Sequence, residues 1–144
     1  MGPHVTILPS NTDIPKAAEV VIAAGGIIGV CIAWFLAQKG IAVVLCEKGI
    51  IGGEKSSRNW GFCRQQGRNI YEIPLMQESL RIWHNINHDL NVDTGFREVG
   101  CCYLARDEAK LSTMETWLKA ASNFKLDTKI LSTKEIHASI DGLS

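Results

Sequence analysis

The 144 residues show no spacing expected of a disulfide framework, no block of like charge and no apolar run that reads as a signal-peptide core. Its five cysteines (Cys31, Cys46, Cys63, Cys101 and Cys102) are odd in number, lack C-x-x-C spacing and sit mostly in apolar runs. That pattern describes reduced thiols and a cytoplasmic chain. Acids and bases balance at 15 each, so no global charge directs the chain to nucleic acid. Three of the four prolines (Pro3, Pro9 and Pro15) fall in residues 1–16, an extended lead-in with no apolar run long enough for a signal-peptide core. Met1-Gly2 with Thr6 fits a bare acylation pattern, but a start codon followed by glycine explains those letters more simply. There is no G-x-S-x-G elbow, so nucleophilic catalysis finds no support. Cys63 beside Arg64 could have a lowered pKa, but no base accompanies it, and a small buried hydrophobe is its default. His84 and His88 stand four apart with no third ligand beyond the neighbouring Asp89, which describes a polar helix end better than a metal site.

What is there is concentrated in residues 19–48, EVVIAAGGIIGVCIAWFLAQKGIAVVLCEK. A β-branched run leads into a glycine cluster, an apolar helical segment, a second apolar run at 41–46 and then Glu47. The order strand, glycine turn, helix, strand, carboxylate is that of a dinucleotide-binding βαβ unit. Glycines let the backbone approach a pyrophosphate, the helix N-terminus presents unpaired N–H groups, and a carboxylate ending the second strand can accept ribose hydroxyls. The G-x-G-x-x-G slots fall on Ala24, Gly26 and Gly29, so alanine occupies the first. A Cβ there would cost on the order of 1–3 kcal/mol if the turn demands a strained backbone.

The 18 residues 20–37 carry no charge, and Gly25 with Gly29 forms a G-x-x-x-G pair, so a membrane span competes with this reading. The glycine pair inside the run, the β-branching before it and the prompt return of a second strand-like run favour a buried βαβ unit.

Residues 48–68, KGIIGGEKSSRNWGFCRQQGR, hold five bases (Lys48, Lys55, Arg58, Arg64, Arg68) and one acid, Glu54. The segment is therefore +4 and the remainder −4, which places positive charge beside the presumed phosphate site and suggests an anion-facing loop. From EVVIAAGGIIG through CEKGIIGGEKSSRNWGFCRQQGR and on into EIPLMQESLRIW, the chain resembles the N-terminal part of FAD-dependent amino-acid oxidoreductases of the D-amino-acid oxidase, glycine oxidase and sarcosine oxidase type. The resemblance implies an α/β fold: a Rossmann-like FAD-binding βαβ unit, then the start of an α+β substrate domain with antiparallel strands, incomplete relative to the family. It implies oxidation of a C–N bond in an amino acid or amine by hydride transfer to FAD. Carried onto these positions, Gly25, Gly26 and Gly29 lie along the pyrophosphate, Glu47 at the adenosine ribose, and Ser56, Ser57 and Arg58 near the phosphates. Asn59, Gly61 and their neighbours up to Arg64 approach the flavin ring, and Ala24, Ile28 and Lys48 complete the cofactor-binding set. No catalytic residue is assigned, since the cofactor carries this chemistry.

The remaining segments fall into local patterns. Pro74 suits a first helical turn, followed by Leu75, Met76, Ser79, Leu80, Trp83 and Ile86 at helical spacing. Residues 95–105 read as extended chain, with Val99, Cys101 and Tyr103 on one face. Asp107 caps a helix bearing the stripe Leu111, Met114, Trp117, Leu118 and Ala121. Residues 124–131 read as a strand, and Ser132 with Glu135 forms a capping box opening a short helix to Ile140. The expected organisation is a lead-in at 1–16, a cofactor unit at 17–70 and a second unit at 71–144. The chain alone is expected to be inactive toward amino acids, with uncovered apolar surface that favours self-association. A non-catalytic remnant or binding module with weakened FAD affinity is the alternative.

Overall fold

The computed structural model describes residues 4–142, so Met1-Gly2 of the acylation pattern lies outside the described residues. Two compact units, Met1–Phe62 and Cys63–Ser144, divide the chain.

In the first unit, strand β1 (Val20–Ala23) pairs in parallel with strand β2 (Val43–Cys46), Val20 opposite Val43 and Ala23 opposite Cys46. Helix α1 (Ile27–Gln38) makes the crossover. The ladder is anchored below the strands, where Glu19 and Val20 N–H groups donate to the Ala42 carbonyl at 3.0 and 3.1 Å. The Glu19 carboxylate returns the contact by accepting from Ala42 N–H at 2.8 Å. Helix α1 stops because Gly40 turns left-handed (φ 76°), letting Gly40 N–H reach the Ala37 carbonyl and Ile41 N–H the Leu36 carbonyl before the chain enters β2. The uncharged run 20–37 is thus broken into a strand, a turn and a helix of 12 residues, and no described helix is long and apolar enough to cross a membrane. The membrane reading fails on that break. Helix α1 is apolar on all sides, which is the composition of a helix buried all round; here Ile28 is 75% exposed and Ile32 45%.

The second unit contains helix α2 (Ile73–Leu90), with Pro74 in its first turn, helix α3 (Glu108–Ala120) and helix α4 (Thr133–Ser139). The caps form as the sequence prescribes. Asp107 Oδ1 accepts from Lys110 N–H at 2.7 Å, and Ser132 with Glu135 closes a full capping box. Ile73 and Ala121 are the buried hydrophobic side chains among the described residues. Two side chains tie the unit together: Trp117 Nε1 donates to the Arg68 carbonyl (2.7 Å) and Gln77 Nε2 to the Phe124 carbonyl (2.9 Å). His84 lies 3.3 Å from Glu98 and edge-on to Phe96, which also stacks on Trp83.

Two expectations are corrected here. Residues 124–131 do not form a strand: Ser122–Phe124 is a turn of 3₁₀-helix, Lys125 turns left-handed (φ 53°), and the residues after it carry no regular structure. Residues 95–105 likewise join no ladder. The antiparallel strands expected of the second unit are absent among the described residues because a strand is stabilised by a neighbour's N–H and C=O groups, and neither segment has such a neighbour.

Candidate nucleotide-binding site

The end of β1, the first turn of α1, the end of β2 and the loop behind it enclose an open groove of about 150 Å³. It is lined by Ala24, Gly25 and Gly26 from the turn, by Glu47, and by Ile50, Gly52, Gly53, Glu54, Lys55 and Ser56 from the loop. Glu47, placed by the last step of β2, reaches back across the sheet. Its Oε2 accepts from Gly25 N–H at 2.7 Å and its Oε1 from Gly49 N–H at 2.8 Å. On the other side of the same residue, the Gly25 carbonyl accepts from Gly52 N–H at 2.8 Å. At the mouth of α1, Ser56 Oγ accepts from Ile27 N–H at 2.8 Å. A hydroxyl that accepts there keeps its own hydrogen to donate outward, so Ser56 extends the donor character of the helix N-terminus into the groove.

The three motif positions are used differently. Gly29 is buried, and a Cβ there would stand 2.1 Å from the Ala24 carbonyl oxygen, so this glycine sets how closely helix and strand pack. A Cβ on Gly26 would come within 3.1 Å of Ser56 Oγ. Ala24 is exposed on the groove wall and is not among the residues with positive φ, so the alanine in the first slot carries no left-handed strain.

The basic loop is partly neutralised from within. Lys48 Nζ pairs with Glu54 at 2.8 Å, and that hydrogen bond raises the lysine pKa and lowers the glutamate's. Ser56–Arg58 forms a 3₁₀ turn, with Ser57 Oγ donating to the Glu54 carbonyl at 3.0 Å and Arg58 exposed. Asn59 bridges from its amide to the Ser56 carbonyl and from its Oδ1 to Gly61 N–H (2.6 Å), Gly61 being left-handed (φ 65°). Trp60 is 94% exposed. In the second unit Arg64 lies over the Tyr103 ring, 5.4 Å from its centroid. Burial pushes the Cys63 thiol up, the reverse of an activated cysteine. Of the groove residues, Ile50, Gly52 and Gly53 were not singled out from sequence, and Glu54 and Lys55 were named only as charges of the basic loop; the glycine pair a few residues beyond Glu47 was the available signal.

The description FAD dependent oxidoreductase (DAO) matches residues 19–143. The chain belongs to this family. Among its relatives, the sarcosine oxidase subunit beta of an Arthrobacter species is 31% identical over 104 residues, covering 71% of this chain and 26% of that one. The mitochondrial pyruvate dehydrogenase phosphatase regulatory subunit of Mus musculus is 23% identical over 124 residues, 85% of this chain and 14% of that one. Among solved structures, the L-amino acid deaminase of Proteus myxofaciens in complex with anthranilate superposes with a TM-score of 0.86 at 26% identity, over 96% of this chain and 32% of that chain. The Proteus vulgaris L-amino acid deaminase gives 0.80 at 27% identity, over 90% of this chain and 32% of that chain. The chain therefore spans roughly a seventh to a third of the length of the relatives it matches.

FAD is the cofactor of the DAO family, and the groove fits the adenosine-diphosphate end of it. The glycine turn at Gly25 and Gly26 has no side chains to stand in the way, the α1 N-terminus and Ser56 present donors, and Glu47 supplies a carboxylate at the strand end.

Proposed function

We propose that this chain provides the FAD-binding part of an oxidoreductase that acts on the C–N bond of an amino acid or related amine. The observation that carries the reading is the Glu47 carboxylate closed onto the Gly25 N–H at the head of the groove. It brings the carboxylate read as the ribose acceptor and the turn read as the pyrophosphate seat within one hydrogen bond of each other. Bound FAD supplies the acceptor for the two electrons of C–N oxidation. The chain's own residues bind and orient it. Glu47 accepts from the ribose hydroxyls through the lone pairs its two backbone contacts leave free. Ser56 and the first turn of α1 donate to the phosphates, with Ser57 and Arg58 beside them. Asn59 and Gly61 shape the segment that leads toward the flavin ring.

The relatives include enzymes named for sarcosine and for L-amino acids, which supports an amino acid or a secondary amine as the substrate class. A second reading, a flavin-binding module without catalysis, is favoured by the regulatory subunit among the relatives and by Ala24 in the first glycine slot. The exposed side chains of α1 also support self-association of the 144 residues.

Two measurements separate these readings. Titration of FAD into the chain, followed by flavin fluorescence, tests the groove, and saturable binding lost in Glu47→Ala is the expected result. Anaerobic addition of D- and L-amino acids, glycine, sarcosine and proline to the FAD-loaded chain then tests catalysis by bleaching of the flavin.

A further inference from the structure

The contacts of Glu47 explain why position 25 in the turn must be glycine. Gly25 is buried with no positive φ, so its lack of a side chain does not answer a left-handed backbone. A Cβ built on it would meet Glu47 Cγ at 2.7 Å, Glu47 Cβ at 2.8 Å and Glu47 Oε2 at 2.8 Å, and these are its three nearest atoms. Cβ is held by the backbone at the end of β2, so rotation about χ1 can move Cγ and Oε2 but cannot clear Cβ. Meanwhile the Gly25 N–H is held by Glu47 and its carbonyl by Gly52, while the other carboxylate oxygen holds Gly49 N–H. Both oxygens of Glu47 are engaged by the protein's own backbone.

We infer that Glu47 is a positioning residue: a two-ended clamp that sets the glycine turn in its receiving shape before a nucleotide arrives, and that itself imposes glycine at position 25. The inference rests on the proposed function in taking the groove as an FAD site, but the clamp acts in the cofactor-free chain. Two consequences distinguish it from a carboxylate that only grips ribose. First, Gly25→Ala and Glu47 substitutions interact, since residues in direct contact give non-additive effects. Second, glutamine is no substitute at position 47. A carboxamide has one accepting oxygen and an NH₂ group, so facing two backbone donors it satisfies one and opposes the other. Toward a ribose hydroxyl, by contrast, glutamine still accepts.

The test is a series in the whole chain without FAD, read as the urea midpoint of unfolding. Gly25→Ala is made with Glu, Ala and Gly at position 47. Because Glu47 Cβ is itself one of the contacting atoms, the drop caused by Gly25→Ala shrinks in steps, partly with Glu47→Ala and to less than half with Glu47→Gly. Should Gly25→Ala not fold at all, recovery of folding in Gly25→Ala/Glu47→Gly is the same result. An equal drop in all three backgrounds, or no recovery where Glu47→Gly alone folds, overturns the clamp. FAD titration of Glu47→Gln supplies the second readout. Affinity falling as far as in Glu47→Ala, about tenfold or more, is expected, and affinity close to native would show that ribose contact alone is what Glu47 supplies. If none of the chains binds FAD while the midpoint series still shows the coupling, the proposed function fails and the clamp stands.

Discussion

Substituting Gly29 by alanine tests the packing on which the groove depends. The new Cβ would lie 2.1 Å from the Ala24 carbonyl oxygen, 3.0 Å from that carbonyl carbon and 3.3 Å from Ile22 Cγ2. A carbon and an oxygen in ordinary contact stand about 3.3 Å apart, so the first turn of α1 must withdraw from the end of β1 by roughly 1 Å. Overpacking of this kind costs about 1–3 kcal/mol. The withdrawal also strains the Ile27 N–H bond to Ser56, 2.8 Å in the native chain, whose loss adds roughly 1 kcal/mol. The expected penalty is about 2–4 kcal/mol, read as a lower urea midpoint, with weaker FAD binding because the helix N-terminus has moved off the groove. A Gly29→Ala chain within about 0.5 kcal/mol of native, and with native FAD affinity, would refute the close helix–strand contact described here.

Other perturbations follow from neighbouring features. Ala24→Gly removes a methyl from the groove wall without relieving any left-handed strain. FAD affinity should rise by up to about tenfold while stability falls by about 0.4–1 kcal/mol from the added chain freedom; equal affinities would show that the first slot is not restrictive. The Glu135 carboxyl titrates below its usual range because it accepts from the Ser132 backbone N–H and hydroxyl. A depressed carboxylate stabilises the fold above its unfolded pKa and loses that contribution as pH falls through the folded value. Protection of the amides in the first turn of α4, taken as exchange relative to the intrinsic rate at each pH, should therefore fall as the solution is acidified below the ordinary glutamate range, and the Glu135→Gln chain should lack that response. The 144-residue chain supplied with FAD should leave the flavin unbleached under anaerobic amino acid. Reduction at a useful rate by any substrate would show that these residues suffice.

Sequence legibility followed the range of the interaction. Asp107, Ser132, Glu135 and Pro74 act on backbone within a turn of themselves, and each does in the structure what its position in the sequence indicates. The glycine turn and Glu47 were legible because their order along a βαβ unit is fixed by the fold. The bonds they make were not. Glu47 meets Gly25 across 22 positions and Ser56 meets Ile27 across 29, and no local pattern announces contacts that depend on how a loop folds back. The strand expected at 124–131 failed for the converse reason. Alternation marks a segment able to be a strand, but a strand also requires a partner's backbone, and intrinsic preference is weak beside that requirement.

The polar contacts that build the groove all close within a short stretch of chain, the farthest being that between Ile27 and Ser56. Closing loops of 22 to 29 positions costs only slightly more entropy than closing shorter ones, because that cost grows slowly with length. During synthesis the groove is therefore complete in sequence once Ser56 has left the ribosome, at a point when the second unit has yet to emerge. Cofactor capture at that stage would make FAD part of the folding nucleus rather than a late addition to a finished protein.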